Sequence, residues 1–380
     1  MLFELSEEQL MIQQAARDFA QTELKPGVIE RDEHQKFPKE QVAKLGELGF
    51  LGMMVDPKYN GSGMDAVSYV LVMEELSKVD ASASVVVSVN NSLVCYGLET
   101  YGSEAQKEKY LKPLASGDKI GAFCLSEPEA GSDATSQQTT AEDMGDYYLL
   151  NGTKNWITNG STASTYLVIA QTHKELRHKG INAFIVEAGT PGFTVGPKEN
   201  KLGIRGSDTH SLMFNDVKVP KENRIGEDGF GFKFAMKTLE GGRIGIAAQA
   251  LGIAAGAYEL ALEYSKQRKS FGKAISEHQA IAFKLADMAT QIEAARLLVY
   301  KAAWLKDQGE NYTLAGSMAK LFASKVAMDV TVEAVQIHGG YGFVKEYHVE
   351  RLMRDAKITQ IYEGTSEIQK MVISRSILSK

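Results

Sequence analysis

The hydrophobic period of this chain switches twice, from helical to strand-like and back, and any fold must accommodate that order. Residues 6–24 open with Ser6-Glu-Glu-Gln9, a capping-box pattern, and carry Leu10, Ala16, Phe19 and Leu24 at helix-like spacing. Pro26-Gly27 ends that helix and Phe37-Pro38 opens another through Leu48. A helix over Ala66–Ser77 follows, and residues 81–120 read as helical segments broken at Gly97, Gly102 and Gly117. Beyond Gly121, Tyr147–Leu150 and Lys154–Thr158 flank Asn151-Gly152, a hairpin signal. Tyr166–Gln171, Ile181–Glu187 and Ser211–Phe214 have strand composition. After Gly226 the helical period returns, with a Ser276/Gln279 capping box before Ile281, Leu285, Met288, Ile292, Ala295 and Val299. Leu314, Met318, Leu321, Met328, Val332 and Val335 make a second core stripe. The expected fold is mainly α with a central β-domain: an N-terminal helical domain (1–120), a small antiparallel β-domain (121–225) and a C-terminal four-helix bundle (226–380).

At 380 residues the chain exceeds one simple core. Forty-two Lys and Arg against 48 Asp and Glu give a net charge of −6, with no basic block for nucleic acid or an anionic membrane. Cys95 and Cys124 make no disulfide framework and suit a reducing compartment, each as a small buried hydrophobe. The N-terminal residues place acids where a targeting peptide would need bases. Ile244–Ala257 is apolar but bounded by Arg243 and Glu259 and interrupted by Gln249, so a packed internal helix is expected, without membrane insertion. Gly61-Ser-Gly-Met-Asp-Ala66 nominally matches the dinucleotide fingerprint, with Asp80 at a suitable distance. No strand completes a βαβ unit, and the string reads as a turn before a helix.

The stretch Ile361-Tyr-Glu-Gly-Thr-Ser-Glu-Ile-Gln369 carries the most pointed chemistry. Ile358, Ile361 and Tyr362 give Glu363 an apolar approach, which raises a carboxyl's pKa towards that of a useful base. Gly364 opens a short helix, and Ser366 and Gln369 have capping-box spacing. Free amides at that helix start can donate to ligand oxygens. By itself the string also suits a surface loop with a solvated Glu. Phe123-Cys-Leu-Ser-Glu-Pro-Glu-Ala-Gly-Ser132 begins as a strand and breaks into a polar turn at Pro128, able to hold a phosphate or a ring edge, or simply a strand exit. Trp156-Ile-Thr158 alternates, so an indole and a hydroxyl share one strand face. Arg268-Lys-Ser-Phe-Gly272 reads as an exposed turn, and Gln336-Ile-His-Gly-Gly340 as a helix end with a structural His338. No His/Cys/Asp cluster accompanies His338, and no metal site is expected.

Together Tyr362–Gln369, Gln336–Gly340 and strings near residues 56–63, 123–133, 156–158, 240–243 and 268–279 closely resemble the acyl-CoA dehydrogenase family over nearly the whole chain. The resemblance implies FAD and a fatty acyl-CoA substrate, with Glu363 removing the α-proton while FAD takes a hydride from the β-carbon. It implies that Ser126 contacts the flavin, Ser132 the substrate as well as the cofactor side, Trp156 flanks the isoalloxazine and Thr158 bonds near N5. Arg268 and the Gln336–Gly340 backbone are implied at the FAD pyrophosphate, with Gln279 a further contact. Phe123, Leu125, Ile157, Phe271, Ile337, Gly339, Thr365 and Glu367 complete the implied cofactor set; Glu240, Arg243, Tyr362 and Gly364 are implied to line the substrate cleft. Some branches place the base on the Glu240–Arg243 helix, at a position matching Gly242 here, which cannot serve. Glu129 stands where many members have Gly or Asn.

Val89–Leu93 and Arg243–Ala247 look most like the short-chain, butyryl-CoA branch. The resemblance further implies an electron-transferring flavoprotein as acceptor. It implies a homo-oligomer, a dimer or a tetrameric dimer of dimers, with the FAD adenine half crossing between subunits. The implied compartment is the bacterial cytoplasm, or the mitochondrial matrix for a processed eukaryotic chain. The rival readings are an acyl-CoA oxidase or flavin monooxygenase on the same fold, a non-enzymatic flavoprotein, and a purely structural helical protein. The last explains none of the ordered loop motifs.

Overall fold

The computed structural model describes residues 4–379; residues 1–3 and 380, the outer ends of the expected first and third domains, lie outside the described residues. The chain begins with α1 (Glu7–Phe19), continued by a π-helical turn (Ala20–Leu24), then α2 (Val28–Glu33), α3 (Lys39–Glu47), α4 (Ala66–Ser77) and α5 (Ala81–Ser88). A second π-helical stretch (Val89–Cys95) carries α5 into α6 (Tyr96–Tyr101), followed by α7 (Glu104–Gln106) and α8 (Lys112–Ala115). The expected cap forms at α1, where the Ser6 hydroxyl accepts from the Gln9 amide and the Gln9 side chain accepts from the Ser6 amide. Residues 61–65 are a turn into α4, capped by Asp65, so no dinucleotide fold arises there. Gly97 does not break its helix as expected. It lies inside α6, where an added Cβ would come within 2.9 Å of Phe234, so its smallness serves packing.

The sheet follows: β1 (Gly121–Cys124), β2 (Thr140–Asp143), β3 (Tyr147–Thr158), β4 (Thr165–Gln171), β5 (Ile181–Glu187), β6 (Phe193–Lys198), β7 (Thr209–Pro220) and β8 (Arg224–Ile225). The order is β6-β7-β3-β2-β4-β5-β8, with β1 beside β4. Pairing is antiparallel except where β1 and β2 run parallel to β4, a departure from the purely antiparallel domain expected. The Asn151-Gly152 hairpin turn does not form. β3 continues through it because its length pairs with β7, from Tyr147 opposite Pro220 to Thr158 opposite Thr209. The Asn151 amide exchanges hydrogen bonds with Asp216 of β7, and Gly152, at φ +147°, absorbs a bulge. The turn sits instead at 144–146, where Gly145 is left-handed and its amide donates to Asp143.

The remainder is α9 (Gly231–Gln267), a hairpin of β9 (Lys269–Ser270) and β10 (Lys273–Ala274), α10 (Gln279–Asp307), α11 (Thr313–His338), α12 (His348–Ile358) and α13 (Ser366–Leu378). Three long helices make the bundle, and the fourth member is divided into α12 and α13 by a turn. On α10 the expected face, Leu285 to Val299, is buried. On α11 the expected stripe is not: Met318 and Val332 are 37% and 46% exposed. Gly316, Ala319, Lys320, Ala323 and Ala327 point inward instead, because small side chains let α11 lie close against the Gly- and Ala-rich α9. Ser276 and Gln279 form no capping box; a 3-10 turn (Ile275–Glu277) intervenes and His278 precedes α10.

Where α9 crosses the end of α4, a Cβ at Gly252 or Gly256 would lie 2.3 Å from the carbonyl oxygens of Glu74 and Lys78. That close crossing joins the first helices and the bundle into one apolar cluster, while the sheet has its own. Ala81–Tyr101 and Gly231–Gln267 are long and apolar enough to cross a membrane, but 94% and 83% of their apolar windows are buried in this core. Cys95 and Cys124 are free and buried. Among the described residues no group of three or more His, Cys, Asp or Glu is placed to hold a metal ion.

Candidate active site

The turn that divides α12 from α13 carries Glu363. The amides of Ile361 and Tyr362 both donate to the Ile358 carbonyl, at 2.8 and 3.1 Å, and so tighten the exit from α12. Glu363 at φ +52° and Gly364 at φ +93° then reverse the chain. Left-handed backbone costs a non-glycine residue about 1–2 kcal/mol, so the surroundings must hold Glu363 there. The neighbouring Tyr362 hydroxyl donates to Gln249 of α9, whose amide in turn donates to Ala81 and Ser84 of α5. On the far side α13 is capped by Thr365, which accepts from the Ile368 amide at 3.3 Å. The expected Ser366/Gln369 box is absent because Gln369 turns back and donates to the Gly364 carbonyl at 2.9 Å.

This geometry presses the Glu363 carboxyl against α9. An added Cβ on Gly242 would lie 2.0 Å from Glu363 Oε2 and 2.9 Å from Leu93. Gly242 is thus the α9 position opposite the carboxylate, and any side chain there would displace it. Glu240 forms an ion pair with Lys237 instead, at 3.2 Å. Glu363 Oε2 is buried and has no hydrogen-bond partner among the described residues. Burial pushes this carboxyl up to about 7, against the opposing pull of the Lys320 and Arg243 charges. Arg243 is 7% exposed, its guanidinium reaching Ser317 of α11 at 3.4 Å with Nε unpaired. Burial lowers its pKa. An unpartnered buried carboxylate poised near neutrality can accept a proton from a carbon acid placed beside it.

Further along α9 the space is closed. A Cβ on Gly245 would meet the Tyr69 hydroxyl at 2.4 Å and Ser88 Oγ at 2.7 Å, and these two side chains lie 3.3 Å apart. Leu93, Tyr69 and Ser88 therefore pack directly against this stretch of α9.

The sheet brings a second group to the same neighbourhood. Phe123 and Leu125 share an apolar cluster with Leu93 and Phe234, against which Tyr362 packs. Ser126 is partly exposed, and its carbonyl accepts from the Asn155 amide at 2.9 Å. Trp156 is 58% exposed and Thr158 partly exposed, flanking buried Ile157. Regular alternation is not what presents the indole: β3 bulges between Lys154 and Ile157, and Trp156 takes φ +58°. Beneath the bulge, fully buried Lys154 donates to Glu127 at 2.6 Å, Gln137 at 2.5 Å and the Leu125 carbonyl at 3.2 Å. Glu127 also accepts from the Gln138 and Thr139 amides, so this network ties the 125–139 loop to β3. Ser132 lies exposed on that loop.

A third group sits elsewhere. Arg268 follows α9, about 39 Å along the helix axis from Gly242 at 1.5 Å per residue. It lies exposed with its guanidinium 5.4 Å from the Tyr341 ring centroid. Phe271 at the β9–β10 turn is 95% exposed, and Gln279, Gln336, Gly339 and Gly340 are exposed as well. A Cβ on either glycine would meet nothing within 4 Å. Ile337 is buried in the bundle core and turns away from this open side. His338 is buried, hydrogen-bonded to the Ala334 carbonyl and stacked on Tyr264, the structural role expected. Glu367 is exposed on α13. Sequence reasoning missed Lys320, a fully buried lysine on the small-residue face of α11; a lone Lys among Gly316, Ala319, Ala323 and Ala327 was the available signal.

Residues 6–118, 122–217 and 229–378 match the acyl-CoA dehydrogenase N-terminal, middle and C-terminal domains respectively. The short-chain specific acyl-CoA dehydrogenase of Clostridium acetobutylicum is 53% identical over 375 residues, 99% of each chain. The three-dimensional structure of butyryl-CoA dehydrogenase from Megasphaera elsdenii superimposes with a TM-score of 0.98 at 54% identity, covering 100% of both chains. A chain solved under the description electron transferring flavoprotein of Acidaminococcus fermentans gives a TM-score of 0.99 at 53% identity, again over 100% of both. The chain therefore belongs to the acyl-CoA dehydrogenase family.

Proposed function

We propose that the protein catalyses FAD-dependent α,β-dehydrogenation of a short-chain acyl-CoA, butyryl-CoA best, to the trans-2-enoyl-CoA, with Glu363 as the base. The observation that carries this reading is the buried, unpartnered Glu363 Oε2 facing Gly242. The groups present fit a flavin: an outward-facing indole on a bulged strand, a hydroxyl two residues on, and a loop held rigid from below by Lys154. FAD, when bound, supplies the acceptor for the hydride that leaves the β-carbon. Ser126, Trp156 and Thr158 hold and orient the ring, with Phe123, Leu125 and Ile157 supporting them.

The α-proton of a thioester is weakly acidic, and the chain lowers the barrier in two ways. The Glu363 amide donates to the thioester carbonyl as enolate-like charge develops. The narrow space between β1, α9 and the Glu363 turn holds the acyl chain in reacting geometry, which makes proton removal intramolecular in effect. Tyr362, Gly364, Arg243 and Glu240 line that cleft, and Ser132 meets the CoA portion. Leu93, Tyr69 and Ser88 close its end, which favours four carbons over longer chains.

Arg268, Phe271, Gln279 and the 336–340 segment serve the adenine half of a neighbouring subunit's FAD, since α9 holds them far from Glu363. Exposed Met318, Val332 and Leu297 fit burial against another copy in a tetramer. An electron-transferring flavoprotein takes the electrons onward, in a compartment that holds acyl-CoA, the bacterial cytoplasm or the mitochondrial matrix. The test is anaerobic titration of the yellow protein with acyl-CoAs of graded length, following flavin bleaching. Butyryl-CoA is expected to bleach faster than octanoyl- or palmitoyl-CoA, because extra methylenes must displace packed side chains at about 1–3 kcal/mol. Best bleaching by palmitoyl-CoA would overturn the short-chain assignment, and no bleaching by any acyl-CoA would overturn the activity.

A further inference from the structure

Lys320 stands near the middle of α11 with its side chain fully buried. A buried ammonium is ordinarily found against a carboxylate, because a desolvated lone charge is costly. Its hydrogen bonds go instead to two main-chain carbonyls, Thr359 at 3.1 Å and Gly364 at 2.6 Å. Those carbonyls are the two ends of the turn that carries Tyr362 and Glu363. One side chain from the bundle therefore fastens that turn on both sides of the carboxylate. Gln369 shares the Gly364 carbonyl, but from α13, the helix that directly continues the turn.

We propose that Lys320 is a positioning residue for dehydrogenation: it clamps the turn on which Glu363 stands and supplies a buried positive charge that the carboxylate faces. The inference rests on the reading of Glu363 as the base. The charged and titratable groups around Glu363 are Lys320 from α11, Arg243 from α9, Tyr69 from α4 and Tyr362 beside it. Burial raises both tyrosines, so they stay neutral through the working range. Arg243 remains charged throughout that range. Burial also brings Lys320 down, to about 8, close above Glu363 at about 7.

The sign follows directly. Burial raises Glu363 and the two cations oppose it. With the Lys320 charge gone, burial is less opposed, and the carboxyl keeps its proton to higher pH. A base that is protonated at neutrality is no base, and a turn released at both ends misplaces it as well.

The test uses holoenzyme carrying Lys320→Met, Lys320→Gln or Lys320→Arg. Each is mixed anaerobically with butyryl-CoA from about pH 5.5 to 9.5, and the rate of flavin reduction is read with the affinity for an enoyl-CoA. Lys320→Met is expected to lose about tenfold or more in rate at pH 7, with the midpoint of the pH profile about one unit higher. Lys320→Gln keeps a donor without a charge and should regain part of the rate but not the midpoint. Lys320→Arg should return the midpoint towards wild type. A wild-type midpoint in Lys320→Met, or in Lys320→Gln should the Met variant not fold, overturns the proposal. So does an equal loss in all three with no movement of the midpoint, which is the signature of packing alone. Glu363→Gln is measured alongside. If it keeps full rate, the base assignment fails and the Lys320 role with it; if it is inactive while Lys320→Gln keeps the wild-type midpoint, only the Lys320 role fails.

Discussion

Burial and two cations act in opposite directions on the Glu363 carboxyl, and burial prevails, leaving it at about 7. Glu363→Gln keeps the shape but cannot accept the α-proton. The variant is expected to fold, stay yellow and bind acyl-CoA while flavin reduction falls by about 10²–10⁴-fold. Stopped-flow absorbance would check this, and a near wild-type rate would place the base elsewhere. The same shift predicts stability. A carboxyl whose folded value exceeds its unfolded one favours folding below about 4.5, and that advantage is lost as pH rises through about 7. Glu363→Gln never ionises, so its Tm should match wild type near pH 4.5 and exceed it at pH 8. Gly242→Ala adds a Cβ where Glu363 Oε2 already lies within 2.0 Å, so it should slow reduction severely although alanine is the better helix former. Pairing Gly242→Glu with Glu363→Gly moves the carboxylate to α9 and is expected to restore part of the rate over Glu363→Gly alone.

Helices whose buried face carries large apolar side chains were legible in the sequence; those packed through small residues were not. α10 announced itself through Leu285, Met288, Ile292 and Val299, all buried. α11 did not, since its large residues such as Met318 and Val332 lie outward and its close contact with α9 is made by Gly and Ala. Asn151-Gly152 is a turn signal only where no partner strand holds both flanks, and β7 holds both here. The burial of the Glu363 carboxyl was legible through its apolar approach. The bulge that presents Trp156 was not, because a left-handed tryptophan contradicts local preference and exists only through pairing with β7. Capping was half legible. The spacing around the last helix pointed to Ser366, but the chain reverses one residue earlier and Thr365 takes the amide. Thr365→Ala should therefore destabilise the protein by about 0.5–2 kcal/mol and Ser366→Ala by much less, read from urea midpoints. Equal effects would mean that α13 begins differently in solution.

Across the whole molecule the long helix α9 acts as a spacer. It carries Gly242 opposite Glu363 near one end and delivers Arg268 about 39 Å away at the other. Within one chain the exposed guanidinium can take no part in proton removal. An exposed Arg beside Tyr341, next to glycines that leave open space, is instead suited to a phosphate oxygen, through its fixed fork of donors. Chemistry and cofactor retention should therefore separate on substitution. Arg268→Ala is expected to lose FAD more readily on dilution or gel filtration, with retention restored by added FAD. The rate of reduction per bound flavin, and the midpoint of its pH profile near 7, should stay at wild-type values. Because Arg268 lies so far from Glu363, FAD loss in Arg268→Ala should also rise as subunits are diluted apart, and flavin fluorescence across a dilution series would follow it. Wild-type retention at every concentration would sever Arg268 from the cofactor. A fall in rate per flavin without loss of flavin would mean that the two ends of α9 communicate, and the spacer account would have to be abandoned.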